Sequence, residues 1–419
     1  MITHSETLEF AKASVNNLPG GKIVLVVPDS TRSGTDYIGQ IIRGIYLEVA
    51  PRVEHLTAIV ALGTHAPMTD EAIRSTFGFS EQELAQSYPK LRLVNHEWKE
   101  PNCLRQVGVF TREDMLRISD GRFDLQAIGF PEGFPIEVNY RIPEADAVVI
   151  IGPVLNHEVV GKSGGNKYFF PGTSGPRGTQ FTHWLGACIT LPKIIGIEQT
   201  PVRKAIDFMA SKITKPLKRC FCLVLDGNDL AHLTYGTPEE AHREAAPLID
   251  RYQTVFVEQP YKKVVSLLSK KYPELWTGGK GSYKVQGVVA DGGELIIYAP
   301  HLDTISASWG EMIERVGYHT MPYIQAHLAS YLKDNIPLGV LAHSTHVMGT
   351  GSFIDGVEKP RIRVSLASQL SRETCDKINL NYLDFKSLDL DQMRADPDTL
   401  VVENSGEILY LLKSDLDNS

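Results

Sequence analysis

The chain has 419 residues, of which 42% are hydrophobic, and a formal net charge of -8. This length predicts two or three domains, and a negative charge without a basic stripe argues against a nucleic-acid partner. No apolar run approaches the roughly 18 residues of a membrane span, and no secretion signal is recognisable, so we expect a cytoplasmic protein without a membrane partner. The five cysteines are scattered and lack a C-x-x-C pair, so we expect buried thiols and neither disulfides nor a zinc site.

The first predicted strand, residues 21–27, ends directly on a polar segment, Asp29 to Gly34. Asp29, Ser30 or Thr31 would serve as the N-cap of the helix predicted over residues 37–49. Capping does not explain Arg32, whose planar guanidinium suits a carboxylate or a phosphate. Two interpretations of Arg32 therefore stay open: a residue of a binding site, or an ordinary surface arginine.

Three further predicted strands each end close to a histidine. Residues 56–62 precede His65, residues 91–94 precede His96, and the buried run 147–151 precedes His157. The carboxyl ends of parallel strands are where open α/β sheets bind ligands. One such histidine is usually structural, but three in equivalent positions favour a site, with His96 as a possible hydrogen-bonding support.

A glycine-rich loop follows His157 and ends at Lys167. Its sequence, GKSGGNK from Gly161, resembles a phosphate cradle, because glycines let backbone N–H groups turn towards an anion and a lysine adds charge. It is not a Walker A motif, since Asn166 precedes Lys167 and Tyr168 follows it, so a nucleoside triphosphatase is disfavoured. A tight turn with a solvated lysine is the alternative.

The alternation of strands and helices predicts an α/β fold with two domains. Residues 1–250 would form a larger, doubly wound parallel-sheet domain, and residues 251–394 a smaller α/β domain, with a ligand cleft between them. Residues 400–411 read as a closing hairpin, and the segment 395–419 could return to the first domain. Further strands are predicted at 220–225, 254–257, 263–268 and 293–298, and further helices at 238–248, 302–316 and 321–332.

His343 and His346 stand three residues apart, a spacing that would place two imidazoles on one helix face for a metal. Gly349 and Gly351 favour a loop here instead, and no His-Glu-x-x-His motif occurs, so a separate metal site is the weaker interpretation. No Gly-x-Ser-x-Gly elbow supports a serine hydrolase either.

Taken together, these motifs resemble the nickel-pincer-nucleotide-dependent lactate racemase family. The similarity spans roughly residues 20–300 and is strongest over residues 21–186. It is carried in order by Asp29-Ser-Thr-Arg32, Gly63-Thr-His65, Asn95-His-Glu-Trp98, His157 with the glycine loop to Lys167, Pro171-Gly172, and His183.

The resemblance implies a cofactor site. The cofactor would be nickel pyridinium-3,5-bisthiocarboxylic acid mononucleotide, linked covalently to Lys167, with His183 as the protein's nickel ligand. An imidazole suits nickel, and one protein donor completes a square plane when the pincer supplies three. The other implied cofactor-binding residues are Asp29, Thr31, Ser163, Gly164 and Gly165.

The resemblance also implies a reaction, the racemisation or epimerisation of a 2-hydroxy acid. His65 and His157 would be the acid and base, while hydride moves to and from the pincer and back to the other face of the substrate. Arg32 would bind the substrate carboxylate. Lys280 would bind substrate too, although Thr277 stands where the family usually has glutamine.

Lys162 occupies a loop position at which the family usually has an aromatic residue. A cation there predicts a 2-hydroxy acid larger than lactate, for example a dicarboxylate or a sugar acid, as the small-molecule partner. Two alternatives stay open: a cofactor-free protein that binds sugar acids or phosphate, and a related oxidoreductase that releases the keto acid. The oligomeric state is not predicted.

Overall fold

The computed structural model describes residues 1–63 and 65–414. Thr64 of the Gly63-Thr-His65 motif and residues 415–419 therefore lie outside the described residues. The strands are β1 (Ile23–Val27), β2 (Leu56–Val60), β3 (Leu91–Asn95), β4 (Leu104–Phe110), β5 (Phe134–Asn139), β6 (Ala147–Pro153), β7 (Asn156–His157), β8 (Gly161–Lys162), β9 (Leu217–Asp226), β10 (Asp229–Gly236), β11 (Thr254–Val257), β12 (Tyr261–Leu268), β13 (Val289–Ala299), β14 (Gly351–Ile354), β15 (Val357–Pro360), β16 (Arg363–Ser368), β17 (Asn381–Tyr382), β18 (Thr399–Ser405) and β19 (Leu409–Leu412).

Helices connect most of these strands. The α-helices are α1 (His4–Ser14), α2 (Thr35–Val49), α3 (Asp70–Thr76), α4 (Glu81–Ser87), α5 (Arg112–Ile118), α6 (Arg141–Glu144), α7 (Pro176–Ile189), α8 (Pro201–Ser211), α9 (Pro238–Ala245), α10 (Asp250–Gln253), α11 (Leu275–Gly278), α12 (Lys280–Tyr283), α13 (Gly310–Val316), α14 (Met321–Lys333), α15 (Leu338–Met348), α16 (Arg372–Lys377) and α17 (Leu390–Ala395). Short 3-10 helices lie at Ala50–Arg52, Pro101–Cys103, Gly165–Tyr168, Leu191–Lys193, Ala246–Ile249, Gln286–Val288 and Phe385–Ser387.

The chain divides into two compact units. The first comprises residues 1–155, 162–182 and 198–252, and the second comprises residues 156–161, 183–197 and those from 253 onward. The glycine-rich motif is therefore split, because His157 belongs to the second unit and Lys167 to the first.

A six-stranded sheet forms the centre of the first unit. Its order is β10-β9-β6-β1-β2-β3, and every neighbouring pair is parallel except the edge pair of β10 and β9. Strand β1 lies in the middle and is buried along its whole length, as a continuous β-branched run requires when both faces of a sheet are covered. The predicted α/β class with a large parallel sheet is confirmed.

Adjacent parallel strands bring the polar segments of the first unit to one edge of this sheet. Strand β1 lies beside β2, and β2 lies beside β3, so the loops that carry Asp29, His65 and His96 follow three neighbouring strands. The capping interpretation is wrong, because α2 begins at Thr35 and its N-cap is Gly34. Gly34 has a φ of 75°, and no side chain caps the helix.

The second unit has its own parallel sheet, with the order β17-β16-β13-β12-β18. The predicted closing hairpin is wrong, because β18 pairs with β12 and β19 pairs with β11. Residues 399–412 therefore lie in the second unit and do not return to the first. Residues 338–348, which include His343 and His346, form a helix and not the loop that Gly349 led us to expect; Gly349, at a φ of 85°, ends it.

No helix within residues 1–63 and 65–414 combines the length and the apolar character that crossing a membrane requires.

Candidate active site

Asp29 is the centre of the site residues in the first unit. Its side chain is 7% exposed, and it accepts hydrogen bonds from Thr31 N at 3.0 Å and Thr31 Oγ1 at 2.6 Å. Burial alone would raise the pKa of Asp29, but the charges of His65 and Arg32 and hydrogen bonds from His65 and Thr31 hold it well below its usual 3.8. Asp29 is therefore an ionised carboxylate that can only accept hydrogen bonds.

His65 is fixed by this carboxylate, since Nδ1 of the ring lies at hydrogen-bond distance from Asp29 Oδ2. Because an ionised carboxylate only accepts, Nδ1 must donate, and the lone pair of the neutral ring lies on Nε2. The loop around His65 is tied at two places. Gly63 N donates to Gly172 O at 3.0 Å, and Asn95 Nδ2 donates to Met68 O at 2.7 Å. His65 is thus held with the lone pair of its neutral ring on Nε2.

His96 is a buried histidine whose ring nitrogens are both hydrogen-bonded within the protein. The ring is fully buried, and burial lowers its pKa to about 4. Its Nε2 donates to Ser174 O at 3.0 Å, while Nδ1 accepts from Asn139 Nδ2 at 3.2 Å. This neutral histidine anchors the segment that follows the glycine loop, in agreement with the supporting role that was the alternative for it.

Arg32 is partly buried, and its charge acts on Asp29 and on the phenol of Tyr168. Its guanidinium makes no hydrogen bond to any of the residues that the structure describes. A planar fork that is positioned but not engaged by the protein suits an incoming carboxylate.

The glycine loop has a conformation that side chains would not tolerate. Gly164 has a φ of 95° and Gly165 a φ of 57°. A Cβ on Gly164 would lie 2.9 Å from Val154 Cγ2, and one on Gly165 would lie 2.9 Å from Pro238 O. Ser163 closes the start of the loop, because it exchanges hydrogen bonds with the backbone of Leu155 at 2.7 and 3.0 Å.

Lys167 lies in the 3-10 helix that follows these glycines and is partly buried. The backbone of the loop is hydrogen-bonded by Arg203, a residue that the sequence analysis did not identify. Its guanidinium donates to Gly164 O at 3.1 Å and to Lys162 O. These carbonyl groups are therefore engaged by Arg203, which fixes the loop that precedes Lys167. A cavity of about 200 Å³ lies beside it, lined by Asn166, Gln199, Arg203, Asp207, Pro238, Glu239, His242 and Arg243.

Lys162 has a structural role that the sequence did not predict. The side chain is 3% exposed, and Nζ donates to Asp250 Oδ2 at 2.6 Å and to Ala246 O at 3.0 Å. Because Asp250 already balances this charge, the expectation that Lys162 binds an anionic part of the substrate has no support from its contacts. The inference of a second anionic group in the substrate loses its basis.

His157 belongs to the second unit, where its segment is held by Lys284, which donates to Asn156 O at 2.6 Å. The backbone N–H of Val159 donates to His157 Nδ1 at 3.1 Å, and Glu158 Oε2 lies 3.3 Å from the same nitrogen. In the neutral ring, the Val159 contact places the proton on Nε2, opposite to the arrangement in His65.

Glu158 is a second buried carboxylate, with a side chain that is 13% exposed. Burial would raise its pKa, but the charge of His157 and then that of Lys280 are the largest causes that hold the pKa of Glu158 well below its usual 4.5. The sequence did not single Glu158 out, because an acidic residue beside a histidine has no distinctive spacing.

His183 lies on α7 and Lys280 on α12, both within the second unit. Lys280 is 9% exposed, and Nζ lies 5.2 Å from the centre of the Tyr272 ring. His183 acts electrostatically on His343 and His346. No group of three or more His, Cys, Asp or Glu suited to a metal occurs in residues 1–63 and 65–414. A single imidazole would suffice only for a metal whose other donors come with a cofactor.

The amino-terminal part of the chain matches a known protein family. Residues 8–125 and 117–190 match the lactate racemase N-terminal domain. The structure is similar to that of a protein from Thermotoga maritima, with a TM-score of 0.86 and 28% identity over 98% of each chain. It is also similar to lactate racemase apoprotein from Thermoanaerobacterium thermosaccharolyticum, with a TM-score of 0.66 over 96% of this chain and 92% of that one. At 17% identity the second likeness shows the fold alone. No curated protein matches the chain.

Acid should destabilise the first unit through its buried histidines. Burial is the largest cause that lowers the pKa of His96 to about 4 and that of His242 to about 3. An unfolded histidine binds its proton near pH 6.5, so the unfolded state binds more protons than the folded state below that pH. The stability is complete above about pH 6.5 and falls as the pH drops towards 4. Melting temperatures between pH 8 and 4 should show this fall, and His96→Gln should reduce its slope; parallel curves would contradict it.

The two site histidines should carry their protons on different nitrogens. In its neutral form, His65 should have the proton on Nδ1, next to Asp29, and His157 should have it on Nε2, because Val159 N–H occupies Nδ1. NMR of histidine labelled with ¹⁵N, assigned with His65→Gln and His157→Gln, reports these tautomers. Asp29→Asn should remove the fixed tautomer of His65 and leave the His157 signals unchanged. The same tautomer at both rings would refute the assignment.

Proposed function

We propose that this chain is an isomerase of the lactate racemase-like family whose N-terminal domain it matches, and that it racemises or epimerises a 2-hydroxy acid. The observation that carries the proposal is the arrangement around Asp29. An ionised, buried carboxylate orients His65 as a base, and the same loop holds the guanidinium of Arg32 without a hydrogen bond to another described residue. A base beside a positioned carboxylate receptor is what proton abstraction from a 2-hydroxy acid requires.

We further propose that the protein uses a nickel-pincer nucleotide. The chain's residues fit this group: Lys167 offers an amine for the covalent link, and His183 offers an imidazole, which suits nickel. Gly164 and Gly165 form a cradle that a Cβ would obstruct, next to the lysine. Asp29, Thr31 and Ser163 are the other proposed cofactor-binding residues. When bound, the cofactor would supply an acceptor and donor of hydride.

The protein's own part in the reaction is to bind the substrate and move a proton. Arg32 would bind the substrate carboxylate with both arms of its guanidinium, and Lys280 would bind a second oxygen of the substrate. His65 would accept the hydroxyl proton at Nε2. The positive charge that forms on the ring would be stabilised by Asp29, which already bonds to Nδ1.

His157 would serve the opposite stereoisomer, and its contacts suit a group that alternates between acid and base. The N–H of Val159 favours the neutral ring, because it needs the lone pair of Nδ1. The carboxylate of Glu158, 3.3 Å from the same atom, favours the protonated ring. These opposed contacts keep both protonation states of His157 within reach, as an interconversion of two stereoisomers demands.

A cofactor-free anion-binding protein would account for the glycine loop, but it would not require an ionised carboxylate to fix the tautomer of His65. A related oxidoreductase would use the same base and differ in releasing the keto acid. Of the three functions, the interconversion of stereoisomers therefore explains the largest number of these contacts.

Replacement of either histidine should abolish the interconversion. The protein would be produced together with the enzymes that build the cofactor, and the stereoisomers of a panel of 2-hydroxy acids would be separated by chiral chromatography. His65→Gln and His157→Gln should each lower kcat by about 100-fold or more, the usual contribution of a general acid or base. His55→Gln, at an exposed histidine, serves as the control and should retain activity. Full activity of either site variant would contradict the proposal.

A further inference from the structure

A buried nitrogen without a partner marks a second polar position in the second unit. His346 lies on α15 and is 3% exposed. Its Nε2 is buried and has no hydrogen-bond partner among the residues that the structure describes. The backbone of the residue is well held, since Gln286 Nε2 donates to His346 O at 2.9 Å. Unpaired buried polar atoms are destabilising and uncommon, so a side chain held in this way indicates a ligand.

The neighbouring His343 is a contrast on the same helix. Its Nε2 lies 3.3 Å from the hydroxyl of Tyr318, and its ring packs on Trp276 with 4.2 Å between the ring centres. His343 is therefore a satisfied core histidine, and His346, three residues on, is not.

The charges around His346 restrict what the ligand group can be. Burial lowers the pKa of His346 to about 4, although Glu158 acts in the other direction, so the ring is neutral at pH 7. Glu158 is ionised and interacts with both Lys280 and His346. The positive charge of Lys280 is thus opposed by a carboxylate of the protein, and His343 and His346 add no charge.

A second carboxylate of a substrate would be repelled by the negative charge of Glu158 here. The positive charge of Lys280 would not offset this repulsion, because Glu158 already balances it. Lys162, the other cation that the sequence offered for this purpose, is paired with Asp250 in the first unit. A hydroxyl group fits better, because it both donates and accepts and therefore suits a neutral imidazole nitrogen in either tautomer.

We propose that Nε2 of His346 hydrogen-bonds a hydroxyl group of the substrate beyond carbon 2, so that the substrate is a polyhydroxy acid and not a 2-hydroxy dicarboxylate. This inference rests on the proposed function, whose substrate class it specifies. His346 is then a residue that determines specificity and takes no part in the proton transfer.

The test compares three acids on protein that carries the cofactor: threonate, which has hydroxyl groups on carbons 3 and 4, malate and lactate. Threonate should have the highest kcat/KM. His346→Leu should lower kcat/KM for threonate by about 10- to 100-fold, mainly through KM, and change the value for lactate less than twofold. His346→Gln, which keeps a polar group, should restore part of the threonate value. His343→Phe is the matched control on the same helix and should leave the preference for threonate over lactate unchanged.

Binding gives a second readout that needs no turnover. Calorimetric titration of threonate into protein without cofactor should show weaker binding to His346→Leu than to the wild type, and the titration of lactate should show no such difference. If His346→Leu does not fold, the rise in KM for threonate in His346→Gln decides the question.

The outcomes separate the inference from the function on which it rests. If malate or lactate is the best substrate, or if His346→Leu affects lactate and threonate equally, the role of His346 is overturned while the isomerase stands. If cofactor-loaded protein interconverts no 2-hydroxy acid, the proposed function fails and this inference fails with it.

Discussion

The candidate site in the first unit depends on the hydrogen bond between the ionised carboxylate of Asp29 and Nδ1 of His65. A carboxylate that is 7% exposed would normally be neutral, and this one stays charged only because His65, Thr31 and Arg32 act on it together. The sheet makes this possible, because β1 and β2 are parallel neighbours and end at the same edge. The loops that follow them then place a carboxylate and an imidazole within one hydrogen bond, and this contact places the proton of the neutral His65 ring on Nδ1.

The second unit also places a buried carboxylate next to a histidine, but the contacts of that histidine differ. Glu158 is also buried, and the charges of His157 and Lys280 are the largest of the interactions that keep its pKa low and the carboxylate ionised. However, the nitrogen of His157 next to Glu158 also accepts a backbone hydrogen bond from Val159, so the proton of the neutral ring lies on Nε2 and not on the nitrogen next to the carboxylate, as it does in His65. The two histidines are therefore not equivalent, although each lies next to a buried carboxylate.

Much of the first unit's framework could be predicted from the sequence. Strands β1 and β6 are continuous apolar runs, and β2 and β3 are mainly apolar runs interrupted by Thr57 and Arg92; their order in a parallel sheet explains why the polar segments after them share an edge. The position of His65 and the support by His96 follow from that reasoning. The antiparallel ribbon of β4 and β5 was missed, because β4 alternates too weakly to be distinguished from a loop.

The errors arose where a residue's role depends on a partner far away in the chain. Lys162 pairs with Asp250, 88 residues later, and no local pattern in the sequence indicates this contact. Arg203 fixes the carbonyl groups of the glycine loop from 39 residues away, and no local spacing indicates it. His343 and His346 were read as a loop because of Gly349, which instead ends their helix through its positive φ. Local patterns predict strands well and predict tertiary partners poorly.

The covalent link that we propose between Lys167 and a nickel-pincer nucleotide can be tested directly. The most direct test is mass spectrometry of the intact protein and of its peptides, with nickel analysis, on protein produced together with the cofactor-building enzymes and on Lys167→Ala produced in the same way. The account predicts a mass increment confined to the peptide of Lys167, about one nickel per chain, and neither in the variant. An unmodified Lys167 under conditions that load a known lactate racemase would contradict it.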